Sequence, residues 1–341
     1  MTDPRTLLQR QSSCTANASR KPQPLPRVLT KVPRDLRHRL RWFRYFLALD
    51  SANISVRRRD FEEVMRSVGD LTIDSFLPRA RMAEISSSAR ATYASASPYP
   101  HIVLDNFFDP ELVDGILDEF PKPDAIRWQR FDNANEIKLA SAADASFGPL
   151  TRLFLYHLNS ITFLEFLSQV TGIDNLMPDP RFEGGGLHQI VRGGKLGVHT
   201  DFNKHAVYGL DRRLNLLLYL NKNWREEYGG QLQLWDREMT RCEAKVSPIF
   251  NRVMIFSTTD FTYHGHPDPL ECPEGVTRKS LALYYFTNGR PADEVTGEHS
   301  TIFRARDPND LRPTFAQRMR LLAHDVVPPI IMRQLHRARK A

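Results

Sequence analysis

Cysteine is scarce in this chain. Its three residues, Cys14, Cys242 and Cys272, lie far apart in the sequence. That spacing excludes a disulfide framework and a cysteine-built zinc site, and it fits a reducing compartment, so a cytoplasmic protein is expected. No run of about 18 uncharged apolar residues occurs, so no segment is expected to cross a bilayer. The N-terminus lacks an apolar stretch followed by small residues, so no secretory signal is expected. No internal repeat is visible. With 41 % hydrophobic and 26 % charged residues in 341 positions, the chain is neither collagen-like nor wholly disordered, and it has length for one large core plus extensions.

Acidic residues are few at the two ends. Residues 1–60 carry 14 Lys/Arg against 4 Asp/Glu, and residues 313–341 carry 6 against 1. The middle, 61–312, is acidic, with a net charge of −8. The overall charge of +7 therefore belongs to the ends. Nucleic-acid binding needs a basic groove in the folded body, so no nucleic-acid partner is expected.

Residues 1–33, rich in Ser, Pro, Arg and Lys, read as a disordered basic leader. Residues 34–49 place Leu36, Leu40, Phe43 and Leu47 at helical spacing among Arg34, Arg37, Arg41 and Arg44. This basic amphipathic helix suits an anionic membrane surface, the acidic body or a second copy of the chain. Residues 34–98 are expected to form a helical extension with a Ser/Ala-rich linker at 86–97. A compact domain is expected over 99–292 and a basic helical tail over 293–341, with a helix around 315–325.

Within that domain, residues 101–107 read as a strand. Asp109-Pro110-Glu111 supplies a helix cap, a proline at the first helical position and an early acid. One helix is expected over 150–170, stopped by Gly172. Apolar runs of strand length then follow at 187–191, 195–202, 214–220, 231–235, 252–257 and 279–286, separated by Gly, Asn, Asp or Pro. Strands in that number after helices indicate an α+β protein with a mainly β core, a sandwich or small barrel buttressed by helices.

His199-Thr200-Asp201 closes one of these runs. In a strand, residues i and i+2 share a face, so His199 and Asp201 present an imidazole and a carboxylate side by side. A histidine from a facing strand, His264 or His266, would complete a set of two histidines and one carboxylate, which leaves metal positions open for oxygen chemistry at ferrous iron. Arg278 opens an apolar strand and shares a face with Ser280, Ala282 and Tyr284. A buried arginine requires an anionic partner, and a carboxylate suits its fork.

HTDF, LLYLNKNW, YGGQLQLW, PIFNRVMIFSTTDFTYHGH and TRKSLALYYF occur in an order that resembles the Fe(II)/2-oxoglutarate-dependent dioxygenases of the prolyl 4-hydroxylase-like branch. The resemblance covers roughly 185–290, the expected catalytic core. In it, 62 residues separate Asp201 from His264, and Arg278 follows His264 by 14. The resemblance implies a double-stranded β-helix, or jelly roll, with His199, Asp201 and His264 as catalytic metal ligands. It implies that Arg278 and Tyr219 meet the distal carboxylate of 2-oxoglutarate, with Ser280 adding a bond and Gln189 in the pocket wall. Fe(II), 2-oxoglutarate and O2 would be the cofactors, with ascorbate as a reductant. Retention of Asp201 points to hydroxylation of an unactivated C–H bond, with release of succinate and CO2. The substrate is expected to be a small molecule such as an amino acid, a sugar or a secondary metabolite, or else a prolyl or other residue of a protein. The readings of other classes are a non-catalytic metal-binding sensor tethered by its basic ends and a zinc hydrolase on the same fold. Zinc accepts the same ligands but leaves Arg278 without a task.

Overall fold

A computed structural model describes residues 76–307 together with 310, 312, 313, 317 and 318. The expected leader, the basic helix at 34–49 and all but residues 317 and 318 of the expected helix at 315–325 lie outside the described residues. Among the described residues, no helix is long and apolar enough to cross a membrane.

The chain opens with α1 (Arg79–Ser95), β1 (His101–Asp105) and α2 (Pro110–Asp118). The cap expected at α2 forms, since Asp109 Oδ1 accepts from the backbone N–H groups of Glu111 and Leu112. A hairpin of β2 (Gln129–Asp132) and β3 (Glu136–Ser141) precedes α3 (Pro149–Leu158) and α4 (Ile161–Thr171). Strands dominate thereafter: β4 (Met177–Pro178), β5 (Gly186–Ile190), β6 (Lys195–Thr200), β7 (Asp211–Tyr219), β8 (Leu232–Trp235) and β9 (Cys242–Val246). The last are β10 (Arg252–Ser257), β11 (His264–His266), β12 (Arg278–Thr287) and β13 (Ile302–Phe303).

The main path of the sheet runs β1-β10-β7-β12-β5-β3-β6-β11-β8-β9, with every pair antiparallel. It folds over on itself, because inward residues of β5, β7 and β12 and of β6, β8 and β11 line one cavity. This is the expected jelly roll.

Alternation along the strands sorts two interiors. Leu214, Leu216 and Leu218 of β7, with Leu281, Leu283 and Tyr285 of β12, join the large core under the helices. The intervening residues Asn215 and Leu217 of β7 and Arg278, Ser280 and Tyr284 of β12 face the cavity. The helical layer contributes Phe154, Leu155 and Leu158 from α3 and Phe163, Phe166, Leu167 and Val170 from α4 to the same core.

Four local expectations are corrected. The Ser/Ala-rich stretch at 86–97 is no linker, because most of it lies in α1. Alanine and arginine favour a helix there, and the hydroxyls of Ser86, Ser87, Ser88 and Ser95 bond back to carbonyls three or four residues earlier. Met82, Ala89 and Tyr93 of α1 are buried in the main core, so the folded unit reaches upstream of Tyr99. The helix expected over 150–170 is broken at Asn159-Ser160, where the Asn159 amide donates to Asp179 O, and Gly172 at φ 74° ends α4 as expected. Finally, the segment after 293 is not simply a helical tail. Its β13 pairs with β6, placing Phe303 opposite His199.

Candidate active site

β6 and β11 are antiparallel neighbours, and His199 and His264 are direct partners in their register. Directly opposed residues point to one side of a sheet, so the two imidazoles meet with ring centroids 4.4 Å apart. Asp201 follows β6 by one residue and returns to the same side. Its Oδ1 lies 3.6 Å from His199 Nε2 and its Oδ2 lies 3.4 Å from His264 Nε2. One donor atom from each of the three residues falls within a 4.8 Å cluster.

The other ring nitrogens fix the imidazoles. His199 Nδ1 bonds Gly197 O at 2.8 Å, and His264 Nδ1 bonds Thr262 O at 2.9 Å. A carbonyl accepts only from an N–H, so both rings keep the Nε2 lone pair free for a metal. Burial pushes the His264 imidazole down to about 4 against the pull of Asp201, which keeps it a neutral donor. Burial alone would raise the Asp201 carboxyl, but the Arg212 guanidinium 3.1 Å away leads the groups that outweigh it and hold the carboxyl well below the ordinary carboxylate range. Two imidazoles anchored through Nδ1 and one ionised carboxylate are the donor set that suits ferrous iron with sites left open, so the residues present fit that ion.

Arg278 heads β12 and is 4 % exposed. Its Nε donates to Gly230 O at 2.8 Å, and one terminal nitrogen lies 3.5 Å from the Tyr219 hydroxyl. No carboxylate of the described residues pairs with it, so a buried guanidinium borders the cavity with hydrogen-bonding capacity to spare. Gly230 permits this approach. It has φ +72°, and a Cβ there would lie 3.0 Å from Arg278 Cδ and 2.7 Å from Leu270 Cδ2.

The structure brings Ser280 to the cavity wall beside Arg278, and Tyr219 to the far side of the guanidinium with its ring buried among Leu232, Leu234, Met254 and Phe256. Gln189 is a correction. It faces away from the cavity, and its Nε2 donates to Thr277 Oγ1 at 2.9 Å. Strand alternation turns its neighbours inward, so His188 and Ile190 line the wall instead. The loop cations near the metal strand are engaged elsewhere: Arg192 with the carbonyls of Glu271 and Cys272, Lys195 with Asp310 O, and Lys204 with Asp211. His205 is held between Asp179 and Glu183.

Sequence reasoning missed two parts of the site. Arg212, 1 % exposed, lies 3.1 Å from Asp201 Oδ2, donates to Asn215 Oδ1 and stacks 3.4 Å from the Tyr284 ring centroid. Asn215 closes the triangle by donating to Asp201 Oδ2 at 2.7 Å. The available signal was the parity of β7, which places Asn215 on the face of Leu217 and Tyr219. The second part is the β2–β3 hairpin, which lines the cavity with Gln129, Phe131, Glu136 and Lys138. The cavity has a volume of about 270 Å³.

The sequence model of the 2OG-Fe(II) oxygenase superfamily matches residues 185–286. Similar solved structures include a Pseudomonas putida prolyl-4-hydroxylase at 17 % identity, TM-score 0.44, covering 61 % of this chain and 100 % of that one. Another is a Trichoplax adhaerens prolyl hydroxylase in complex with a hypoxia inducible factor peptide fragment, at 18 % identity and TM-score 0.44, covering 61 % and 91 %. A third is HygX from Streptomyces hygroscopicus with nickel and 2-oxoglutarate bound, at 13 % identity and TM-score 0.38, covering 59 % and 92 %. No curated protein sequence matches the chain significantly. Residues 185–286 match the 2OG-Fe(II) oxygenase superfamily, and the donor cluster of His199, Asp201 and His264 lies within them, as an oxygenase working with ferrous iron, 2-oxoglutarate and dioxygen requires.

Proposed function

We propose that this enzyme hydroxylates an unactivated C–H bond of a small molecule, with His199, Asp201 and His264 holding the iron and Arg278 receiving the distal carboxylate of 2-oxoglutarate. The observation that carries the reading is the convergence of three donor atoms within 4.8 Å on a cavity that also holds a buried guanidinium without a carboxylate partner. When bound, iron, 2-oxoglutarate and dioxygen supply the oxidant, and succinate and CO2 leave. The protein supplies placement and dryness. His199 and His264 offer oriented lone pairs, and Asp201 offers a charge held ionised by Arg212. Ser280 stands beside Arg278 to add a bond to the co-substrate, and Tyr219 supports the guanidinium from behind. Leu196, Leu232 and Phe256 exclude water from the cavity walls.

The hairpin supports a small substrate over a polypeptide. β3 pairs with both β5 and β6, so β2 and β3 cover the cavity as part of the sheet. A peptide needs an open groove across the mouth, whereas a compact ligand fits beneath such a cover. Phe131 then offers an apolar face, and Glu136 and Lys138, paired with each other at 2.9 Å, offer a polar one.

The test is succinate release by the full chain with Fe(II), ascorbate and 2-oxoglutarate, screened against amino acids, sugars, other small metabolites and proline-containing peptides. Stimulation by a small molecule, abolished in His199→Ala and Asp201→Ala, is the expected result. Stimulation by peptides alone would overturn the small-molecule reading. Equal succinate output from wild type and His199→Ala would overturn the assignment of the site.

A further inference from the structure

His266 is 2 % exposed, and neither of its ring nitrogens meets a hydrogen-bond partner in another residue. Buried polar groups in native proteins are nearly always paired, so two unpaired nitrogens on one buried ring mark a position that serves something other than the fold. The side chain borders the same cavity as His199, His264 and Arg278.

Its place along β11 fixes its depth. β11 starts at His264 in the donor cluster, and His266 comes two residues later, past a register shift that leaves both side chains on the cavity. The chain then proceeds to Leu270, which lies at the level of Arg278, because a Cβ on Gly230 would touch both. His266 therefore stands between the donor cluster and the guanidinium. Its register partner Leu196 stands three residues before His199 on β6, so His266 lies on the order of 7–10 Å beyond His264, the scale of a five-carbon diacid. It also differs from the two histidines of the donor cluster. Their Nδ1 atoms are anchored on backbone carbonyls, as ligand imidazoles are, and that of His266 is not.

We propose that His266 binds the co-substrate, donating a hydrogen bond from one ring nitrogen to the distal carboxylate of 2-oxoglutarate that Arg278 also receives. This rests on the reading of Arg278 given above. The guanidinium spends its Nε on Gly230 O and one terminal N–H on Tyr219, and the imidazole adds a donor from the β11 side of the cavity. The cavity thus grips the diacid from two strands, β12 and β11, that lie on opposite parts of the folded sheet.

The test is an oxygen-free titration of 2-oxoglutarate into the Fe(II)-loaded full chain, followed by the metal-to-ligand charge-transfer absorption. His266→Leu should bind iron as wild type does and bind 2-oxoglutarate about 10- to 100-fold more weakly, the worth of a hydrogen bond to a charged group. His266→Gln, which keeps a donor, should recover most of that affinity. 2-Oxobutyrate, which lacks the distal carboxylate, should bind wild type and His266→Leu equally. Should His266→Leu not fold, His266→Met carries the same comparison. Undiminished 2-oxoglutarate binding by the apolar variant would overturn the proposal alone, as would loss of iron binding or an equal loss of 2-oxobutyrate affinity. A wild type that forms no complex with 2-oxoglutarate would overturn it together with the assignment of Arg278.

Discussion

Arg212 and Asp201 form an ion pair of 3.1 Å inside the jelly roll, with Asn215 bonded to both. The guanidinium is stacked on Tyr284 and Phe202, so its plane and reach are set before the carboxylate meets it. Arg212 does not belong to the donor cluster and acts through Asp201, which makes it a positioning residue. Arg212→Leu should lower Fe(II) affinity by about 10- to 100-fold, the usual effect of removing a group that orients a metal ligand. Arg212→Lys should recover little, because an ammonium lacks the planar fork and the stacking face. Equilibrium metal titration measures both, and an Arg212→Leu protein with wild-type iron affinity would refute the positioning role.

The turn residue Gly230 sets the seat of Arg278. Gly230→Ala places a side chain at φ +72° and 3.0 Å from Arg278 Cδ. The strained backbone should cost about 1–3 kcal/mol of stability, read from denaturant unfolding. The displaced guanidinium should raise the apparent KM for 2-oxoglutarate while Fe(II) affinity stays unchanged. An unchanged KM would show that Arg278 does not depend on the turn.

Five tyrosines respond to alkali through burial. Burial raises the phenols of Tyr93, Tyr99, Tyr219 and Tyr285, and pushes that of Tyr284 up to about 12. A group whose folded pKa exceeds its unfolded value binds its proton more tightly when folded. Its stabilising contribution is therefore complete below the unfolded pKa of about 10 and declines as pH rises from there. The urea midpoint should hold steady to about pH 9.5 and fall above pH 10, with tyrosinate absorbance from these residues appearing only on unfolding. Tyrosinate formation from all five in the folded protein at pH 10 would contradict their burial.

Adjacent positions of β7 should separate stability from chemistry. Leu216→Ala removes a fully buried side chain from the core beneath the helices and should cost about 2–5 kcal/mol while leaving the KM for 2-oxoglutarate unchanged. Asn215→Ala, one residue earlier, should weaken Fe(II) binding through Asp201. Unfolding curves and metal titrations on the pair decide this, and matching profiles for both variants would refute the division.

The strands and the donor cluster were legible because their signals are local. Apolar runs end at Gly, Asn or Pro, and His199 and Asp201 are two residues apart on one strand. The choice of His264 over His266 and the task of Arg278 came through the resemblance, since bringing them to β6 takes sheet pairing that a single run does not encode. The helix α1 was hidden by serine, which favours turns in isolation but bonds back along a helix once Met82, Ala89 and Tyr93 have a core to enter. The resemblance put Gln189 in the pocket wall, and a five-residue strand buried on both faces carries no polar alternation to correct that parity. Arg212 carries no signal of its own in the sequence. Its burial arises only from Tyr284, Phe202 and Asp201, which come from three separate segments.

The β2–β3 cover has a bearing on evolvability. Its cavity-facing residues Gln129, Phe131, Glu136 and Lys138 are supplied by a hairpin that contributes no atom to the donor cluster. On the proposed function, exchanging those four side chains would recast what the enzyme accepts while His199, Asp201 and His264 stay as they are, so substrate preference can change without the donor cluster being rebuilt.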